Sequence, residues 1–197
     1  MYNDLFKRIL DLFVSLLAFP FFLLIFLFIA PAIYFNDKGP IFFNGNRMGK
    51  NGKRFSMYKF RSMKVNAPDI RNADGSTFNS DDDPRVTSVG RFIRKTSIDE
   101  LPQLLNVLKG DMSLVGPRPT LTTKDISQYD EILSKRLKVR PGLTGYSQAY
   151  FRNSIDQDEK YEKDIYYIEN MSFLLDLKII VKTIMSVVRK ENVYISK

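Results

Sequence analysis

Residues 97–119 read Ser-Ile-Asp-Glu-Leu-Pro-Gln-Leu-Leu-Asn-Val-Leu-Lys-Gly-Asp-Met-Ser-Leu-Val-Gly-Pro-Arg-Pro and bring two kinds of chemistry together. The adjacent carboxylates Asp99 and Glu100 can supply an anionic nucleophile, a metal ligand or a proton acceptor. Arg118 stands between Pro117 and Pro119 and suits a phosphate: its planar fork matches two phosphate oxygens, and the prolines pre-set the backbone that carries it. The same acids have a structural reading. Ser97-x-x-Glu100 is the pattern of a capping box, and an acidic first turn stabilises any helix N-terminus.

Composition narrows the chemistry. The 197 residues include no Cys and no His, which excludes disulfides, thiolate nucleophiles, zinc–thiolate clusters and the usual imidazole base. Catalysis must then run on carboxylates, hydroxyls, Lys and Arg, and a metal would be a hard, oxygen-binding cation such as Mg²⁺. The chain is long enough for one domain with its own core. A net charge of +8 and a pI near 9.5 point to an anionic partner: nucleic acid, anionic lipid or a phosphorylated small molecule.

The elements that must position these residues begin with an uncharged run of 24 residues, 12–35. About 20 apolar residues suffice to cross a bilayer core. Pro20 divides the run into arms of 8 and 15 residues, roughly 12 and 22 Å at the helical rise, and a proline is expected to break or kink the helix. Both flanks are basic. Lys7 and Arg8 precede the run; Lys38, Arg47, Lys50, Lys53, Arg54, Lys59, Arg61 and Lys64 follow it, with no acid between 38 and 64. Two basic flanks are satisfied together if both ends stay cytoplasmic, as in a re-entrant hairpin; a kinked spanning helix is the competing reading. A cleaved signal peptide is disfavoured by the length of the run and by bulky Ile33, Tyr34 and Phe35 where small residues would be needed.

Residues 39–43 and 54–61 are aromatic-rich and separated by Gly45, Gly49 and Asn51-Gly52, which predicts a small antiparallel hairpin. Residues 66–84 read as a polar loop whose Asp81-Asp82-Asp83 cluster is expected to be solvated. Helices are predicted over 85–95, 98–109 and 121–136, followed by a turn at 140–145. Residues 173–189 keep polar positions at helical intervals and predict an amphipathic helix that packs on the core or lies on a bilayer.

The chain resembles the bacterial sugar transferases, the monotopic polyprenol-phosphate phosphoglycosyl transferases, in their small form with a catalytic domain alone. The resemblance is carried by Gly39-Pro40-x-Phe42, Arg47-x-Gly49-x-x-Gly52, Tyr58-Lys59-Phe60-Arg61-Ser62-Met63, Asp83-Pro84-Arg85-Val86-Thr87-x-x-Gly90-x-x-Ile93-Arg94, the 97–119 block and Arg140-Pro141-Gly142-Leu143-Thr144-Gly145. It implies an α+β, mainly helical fold: a re-entrant anchor over 1–36 broken at Pro20, then a cytoplasmic, membrane-associated catalytic domain over 37–197 with a small antiparallel hairpin and interfacial helices. It also implies the reaction. Asp99 attacks the sugar-bearing phosphorus of a UDP-sugar, UMP leaves, and polyprenol (undecaprenyl) phosphate collects the sugar phosphate, the first membrane step of glycan assembly. Glu100 assists, and Mg²⁺ is held by Asp99 and the diphosphate. Donor ligands by this resemblance are Lys59, Arg61, Arg94, Pro117, Arg118, Pro119, Arg140, Gln148 and Arg152. The implied location is the cytoplasmic face of the bacterial inner membrane, with membrane lipid and downstream glycosyltransferases as further partners. One departure is Phe19 before Pro20, where some relatives carry Ser.

A basic, membrane-associated protein that binds nucleic acid or anionic lipid without catalysis would also explain the charge. No aromatic platform for stacking bases accompanies that charge, so nucleic acid is not expected as a partner.

Overall fold

Helix α1 (Asp4–Asp37) takes up the whole apolar run together with the basic turn before it. The computed structural model describes residues 4–70, 78, 80, 82–121, 129–152 and 154–189. The buried residues of α1 are Asp11, Ser15, Phe22, Ala30 and Ile33, spaced at helical intervals on one face. Phe13, Leu17, Phe21, Leu24, Phe28 and Phe35 are exposed. Large apolar groups outward, with Asp11 and Ser15 among the buried residues, depart from the pattern of a water-facing helix, and such a surface is stable against lipid. The helix corrects the expected break at Pro20: its backbone stays helical through Pro20 and Pro31. A proline removes one hydrogen bond of the helical ladder, and a long helix with packing on both sides of the defect absorbs that loss.

The rest of the chain holds α1 along its length. At the N-terminal end Lys50 pairs with Asp4, Lys7 with Asp176 at 2.5 Å, and Arg8 donates to the carbonyls of Val107 and Leu108 at 2.5 and 2.9 Å. Asp11 accepts the Leu114 N–H at 3.0 Å. Midway, Phe22 stacks on Phe60 and Phe26 on Phe42. At the C-terminal end Asn36 donates to Ser88 Oγ, and Asp37 accepts from Arg61 and from the Val65 N–H.

Strands β1 (Phe42–Met48) and β2 (Arg54–Phe60) form the expected antiparallel hairpin, with Phe42 opposite Phe60 and Met48 opposite Arg54. Its turn places Asn51 in the left-handed region, φ 56°. The outer edge of β2 is closed by a side chain: Asn106 accepts the Tyr58 N–H and donates to the Ser56 carbonyl, at 2.9 and 2.8 Å. Helix α2 (Ser88–Lys95) starts three residues later than predicted because Thr87 caps it, accepting the Gly90 N–H. The predicted helix over 98–109 is split. A 3₁₀ turn covers Ile98–Glu100 and α3 covers Gln103–Lys109, since Pro102 has no N–H to continue the ladder and instead opens α3.

β3 (Ser113–Val115) pairs in parallel with β5 (Gly142–Thr144), so part of the predicted turn at 140–145 is a strand. β4 (Thr120–Leu121) adds to β1, which corrects the helix expected from 121. Residues 122–128 lie outside the described residues, and α4 (Glu131–Arg136) begins where Asp130 accepts the Leu133 N–H. Helices α5 (Tyr146–Tyr150) and α6 (Gln157–Glu169) were not anticipated, whereas α7 (Phe173–Arg189) coincides with the prediction. Asp81 lies outside the described residues; Asp83 is buried and paired with Arg85 at 2.7 Å, not solvated as expected. The fold is mainly helical with a small antiparallel sheet, and Phe60, Ile93, Val107, Met112, Val115, Tyr167 and Ile179 form the center of its core.

Candidate active site

The acid pair sits on the 3₁₀ turn between α2 and α3. Ser97 reverses the chain in the left-handed region, φ 56°, and makes no side-chain cap. The capping box therefore does not form, and Glu100 is available for other partners. Its Oε1 accepts from Lys59 Nζ of β2 at 2.6 Å and lies 3.8 Å from Arg118 Nη2. Asp99, half-buried beside it, has no hydrogen bond or ion pair among the described residues.

The two carboxyls are driven apart. Burial pushes Asp99 up to about 6, reinforced by the charge on Glu100 and opposed by Lys59, Arg94 and Arg118. Burial also pushes Glu100 upward, but Lys59, Arg118 and Arg152 outweigh it and hold that carboxyl at about 2. A carboxylate of raised basicity, still ionised at neutral pH and next to a cluster of cations, is equipped to attack an electrophile that carries negative charge.

Local geometry explains how the cations gather. Arg94 of α2 donates to Ser62 Oγ at 2.8 Å, and α2 can approach Ser62 because residue 90 is Gly: a Cβ there would lie 1.8 Å from the Ser62 carbonyl oxygen. Arg118 follows β3 in a loop tied to β5, where Gly116 N–H donates to Thr144 and Gly142 N–H to Pro117, both at 2.9 Å. Pro117 is buried and Pro119 half-buried, while Arg118 between them is exposed. Gln148 of α5 keeps a buried Oε1 without a partner among the described residues. Arg152 follows α5 with φ 47° and acts on Glu100.

The structure thus brings Asp99, Glu100, Lys59, Arg94, Arg118 and Arg152 together. Two other predicted ligands are placed elsewhere. Arg61 is buried and donates to the Pro40 carbonyl and to Asp37, both at 2.6 Å, pinning the end of α1. Arg140 donates to the Gly110 carbonyl at 3.0 Å and, with Asp4, Lys7 and Asp11, lines a small cavity beside the start of α1. Neither contacts an acid of the pair. Sequence spacing does not distinguish an arginine aimed at phosphate from one that satisfies buried carbonyls. Arg136 and Asp164, which no sequence motif marks, form a buried pair whose members touch the Arg118 loop and α5. A basic residue in the last turn of a helix reads as ordinary dipole complementation.

No group of three potential metal-ligating side chains occurs among the described residues. The acid pair offers two carboxylates, and Asp99 is the one not taken by cations. This donor set suits Mg²⁺, which keeps water and substrate phosphate oxygens in most of its positions.

Residues 2–190 match the bacterial sugar transferase family. The galactosyl transferase CpsE of Streptococcus agalactiae is 45% identical over 186 residues, 90% of this chain and 41% of that protein. The uncharacterized sugar transferase EpsL of Bacillus subtilis is 43% identical over 187 residues, 95% of this chain and 89% of its own length. The undecaprenyl-phosphate galactose phosphotransferase of Salmonella typhimurium is 42% identical over 169 residues, 80% of this chain and 35% of that protein. The chain therefore spans well under half of two of these relatives and nearly all of the third.

Proposed function

The chain belongs to the bacterial sugar transferase family, and from that premise we propose that it moves a sugar 1-phosphate from a UDP-sugar to polyprenol phosphate and releases UMP. The observation that carries this reading is a basic Asp99, unpaired among the described residues, beside a Glu100 that gathers Lys59 and Arg118. A Asp99 carboxylate oxygen attacks the sugar-bearing phosphorus; the bond from that phosphorus to the bridging oxygen breaks, and UMP departs with the bridging oxygen. The aspartyl phosphosugar is then attacked by a phosphate oxygen of the acceptor. The Asp99–phosphorus bond breaks, polyprenol diphosphate sugar forms, and the carboxylate is restored.

Phosphoryl transfer rests on positioning and charge neutralisation. Lys59, Arg94, Arg118 and Arg152 can exchange present partners for the donor's phosphate oxygens. Glu100, a weak base at its depressed pKa, serves before the donor arrives by collecting these cations around Asp99. A Mg²⁺ ion held by Asp99 and the diphosphate would neutralise further charge on the leaving UMP.

This reading includes the topology. Residues 1–36 form the anchor and 37–197 the catalytic domain, on the cytoplasmic face of the inner membrane. The 34-residue α1 is roughly 50 Å long against a hydrocarbon core of ~30 Å. Its first turns contact α3, β3 and α7 while its last turn contacts Arg61, just past β2, and α2. Support for a monotopic placement, with both ends of α1 on one side of the membrane, is that both ends bind one body, which a crossing helix would separate. The test of function is UMP release from UDP-glucose, UDP-galactose, UDP-N-acetylglucosamine and UDP-N-acetylgalactosamine, with and without undecaprenyl phosphate. Release from at least one donor, abolished in Asp99→Asn, is expected; release unaffected by that change would refute the assignment.

A further inference from the structure

Arg118 is poorly fixed by its own side chain. That side chain is 56% exposed and its one ion contact among the described residues, to Glu100, is 3.8 Å long. Its placement against a donor diphosphate must come from the backbone. The Arg118 carbonyl accepts from Arg136 Nη2 at 2.8 Å, and the same guanidinium donates from Nη1 to Thr120 Oγ1 at 2.9 Å and from Nε to Asp164 Oδ2 at 3.0 Å. The other Asp164 oxygen accepts from Ser147 Oγ at 2.7 Å, the residue before Gln148. Tyr161 stacks on the guanidinium, its ring center 4.4 Å away. One buried group therefore joins the Arg118 loop, β4, α6 and α5.

Stability alone does not call for this arrangement. An ion pair buried as deeply as Arg136 and Asp164, with side chains 4% and 2% exposed, loses much of its attraction to desolvation, and a well-packed apolar pair often serves as well or better. What an apolar pair lacks is directed N–H groups aimed at a loop carbonyl and a threonine hydroxyl. We propose that Arg136 is a positioning residue, held by Asp164, that sets the backbone of residues 117–120 so that Arg118 meets the phosphates of the donor. This rests on the reading of Arg118 as a donor clamp.

The test uses the full-length membrane-bound protein, with the donor nucleotide sugar that gives fastest UMP release among the four named above. Arg136→Lys keeps the charge and loses the fork; donor KM should rise about tenfold with kcat within about threefold of wild type, because the loss is in ground-state positioning. Introduced into Arg118→Ala, the same change should add less than about a twofold further rise, since residues acting through one contact are not additive. The double variant Arg136→Met/Asp164→Leu removes both charges together, so it should melt at or above the wild-type temperature yet show the same raised KM. Equal fold losses from Arg136→Lys in both backgrounds, or a wild-type KM in the Met/Leu variant, would overturn the proposal. A wild-type KM in Arg118→Ala would overturn the clamp itself and the proposal with it, a result distinct from failure of the positioning role alone.

Discussion

Asp99 and Glu100 are adjacent in the chain and opposite in electrostatic character, and their pH behaviour follows from that. In the proposed reaction attack requires the Asp99 anion, and its carboxyl is raised to about 6 from an ordinary 3.8. In UMP release from donor alone, kcat/KM should fall about tenfold per pH unit below about 6 and level off above it, a limb that reports the free protein. Glu100→Gln removes a neighbouring negative charge, so any residual activity should show that limb at lower pH. Lys59→Gln removes a stabilising cation, and its limb should move to higher pH. Limbs that stay in place would show that another group titrates. Stability has the reverse signs for the two acids. The raised carboxyl of Asp99 favours the fold below its ordinary value and loses that contribution as pH rises through about 6; the depressed carboxyl of Glu100 favours the fold above 4.5 and loses it as pH falls toward 2. At Arg118, replacement by Lys keeps charge but not the fork, and donor KM should rise by about tenfold if two phosphate oxygens are bound; an unchanged KM would reduce Arg118 to a contributor to the local field.

At the scale of elements, the β3–β5 pair holds the Arg118 loop because two glycine backbones meet there. A Cβ on Gly142 would lie 2.1 Å from both the Gly116 nitrogen and the Thr144 oxygen, which are backbone atoms with no rotamer to change. Gly142→Ala should destabilise the protein by about 2 kcal/mol or more and raise donor KM, measured by thermal melting and by UMP release; an unchanged melting temperature would mean that the strands separate freely. The hairpin, α7 and the acid–arginine block were legible in the sequence because alternation, helical period and proline framing are local signals. The parallel β3–β5 pair was not: three residues against three, with the partners far apart in the chain, carry no such pattern, and Arg140-Pro141-Gly142 reads as a turn. The split at Pro102 was foreshadowed by the missing N–H, yet the helical period across 98–109 concealed it. At the site, Lys59, Arg94 and Arg118 stood out through their motifs. Arg61 and Arg140 looked equivalent to them until their carbonyl partners were visible, and Arg136 gave no sign because a buried ion pair between α4 and α6 depends on packing that a sequence does not display.

At the scale of the molecule, the proposed function has α1 join lipid to chemistry. Its exposed face is apolar, its buried face carries Asp11 and Ser15, and both of its ends grip the rest of the chain. The chain has no cysteine of its own, so Leu5→Cys and Lys53→Cys variants can each be labelled alone. A membrane-impermeant thiol reagent should reach both only in inverted vesicles; labelling of residue 5 from the periplasmic side would establish a crossing helix instead. Pro20→Leu restores a backbone hydrogen bond and should shift part of the population toward crossing. The account as a whole stands on covalent chemistry at a carboxylate, and that is read most directly by the intact mass of the protein incubated with a productive UDP-sugar and Mg²⁺ but no acceptor. The account predicts a gain of one sugar phosphate on a peptide containing Asp99, stoichiometric UMP, and loss of the adduct when undecaprenyl phosphate is added. UMP release that requires the acceptor, with the protein mass unchanged throughout, would contradict it and make Asp99 a bystander to direct transfer.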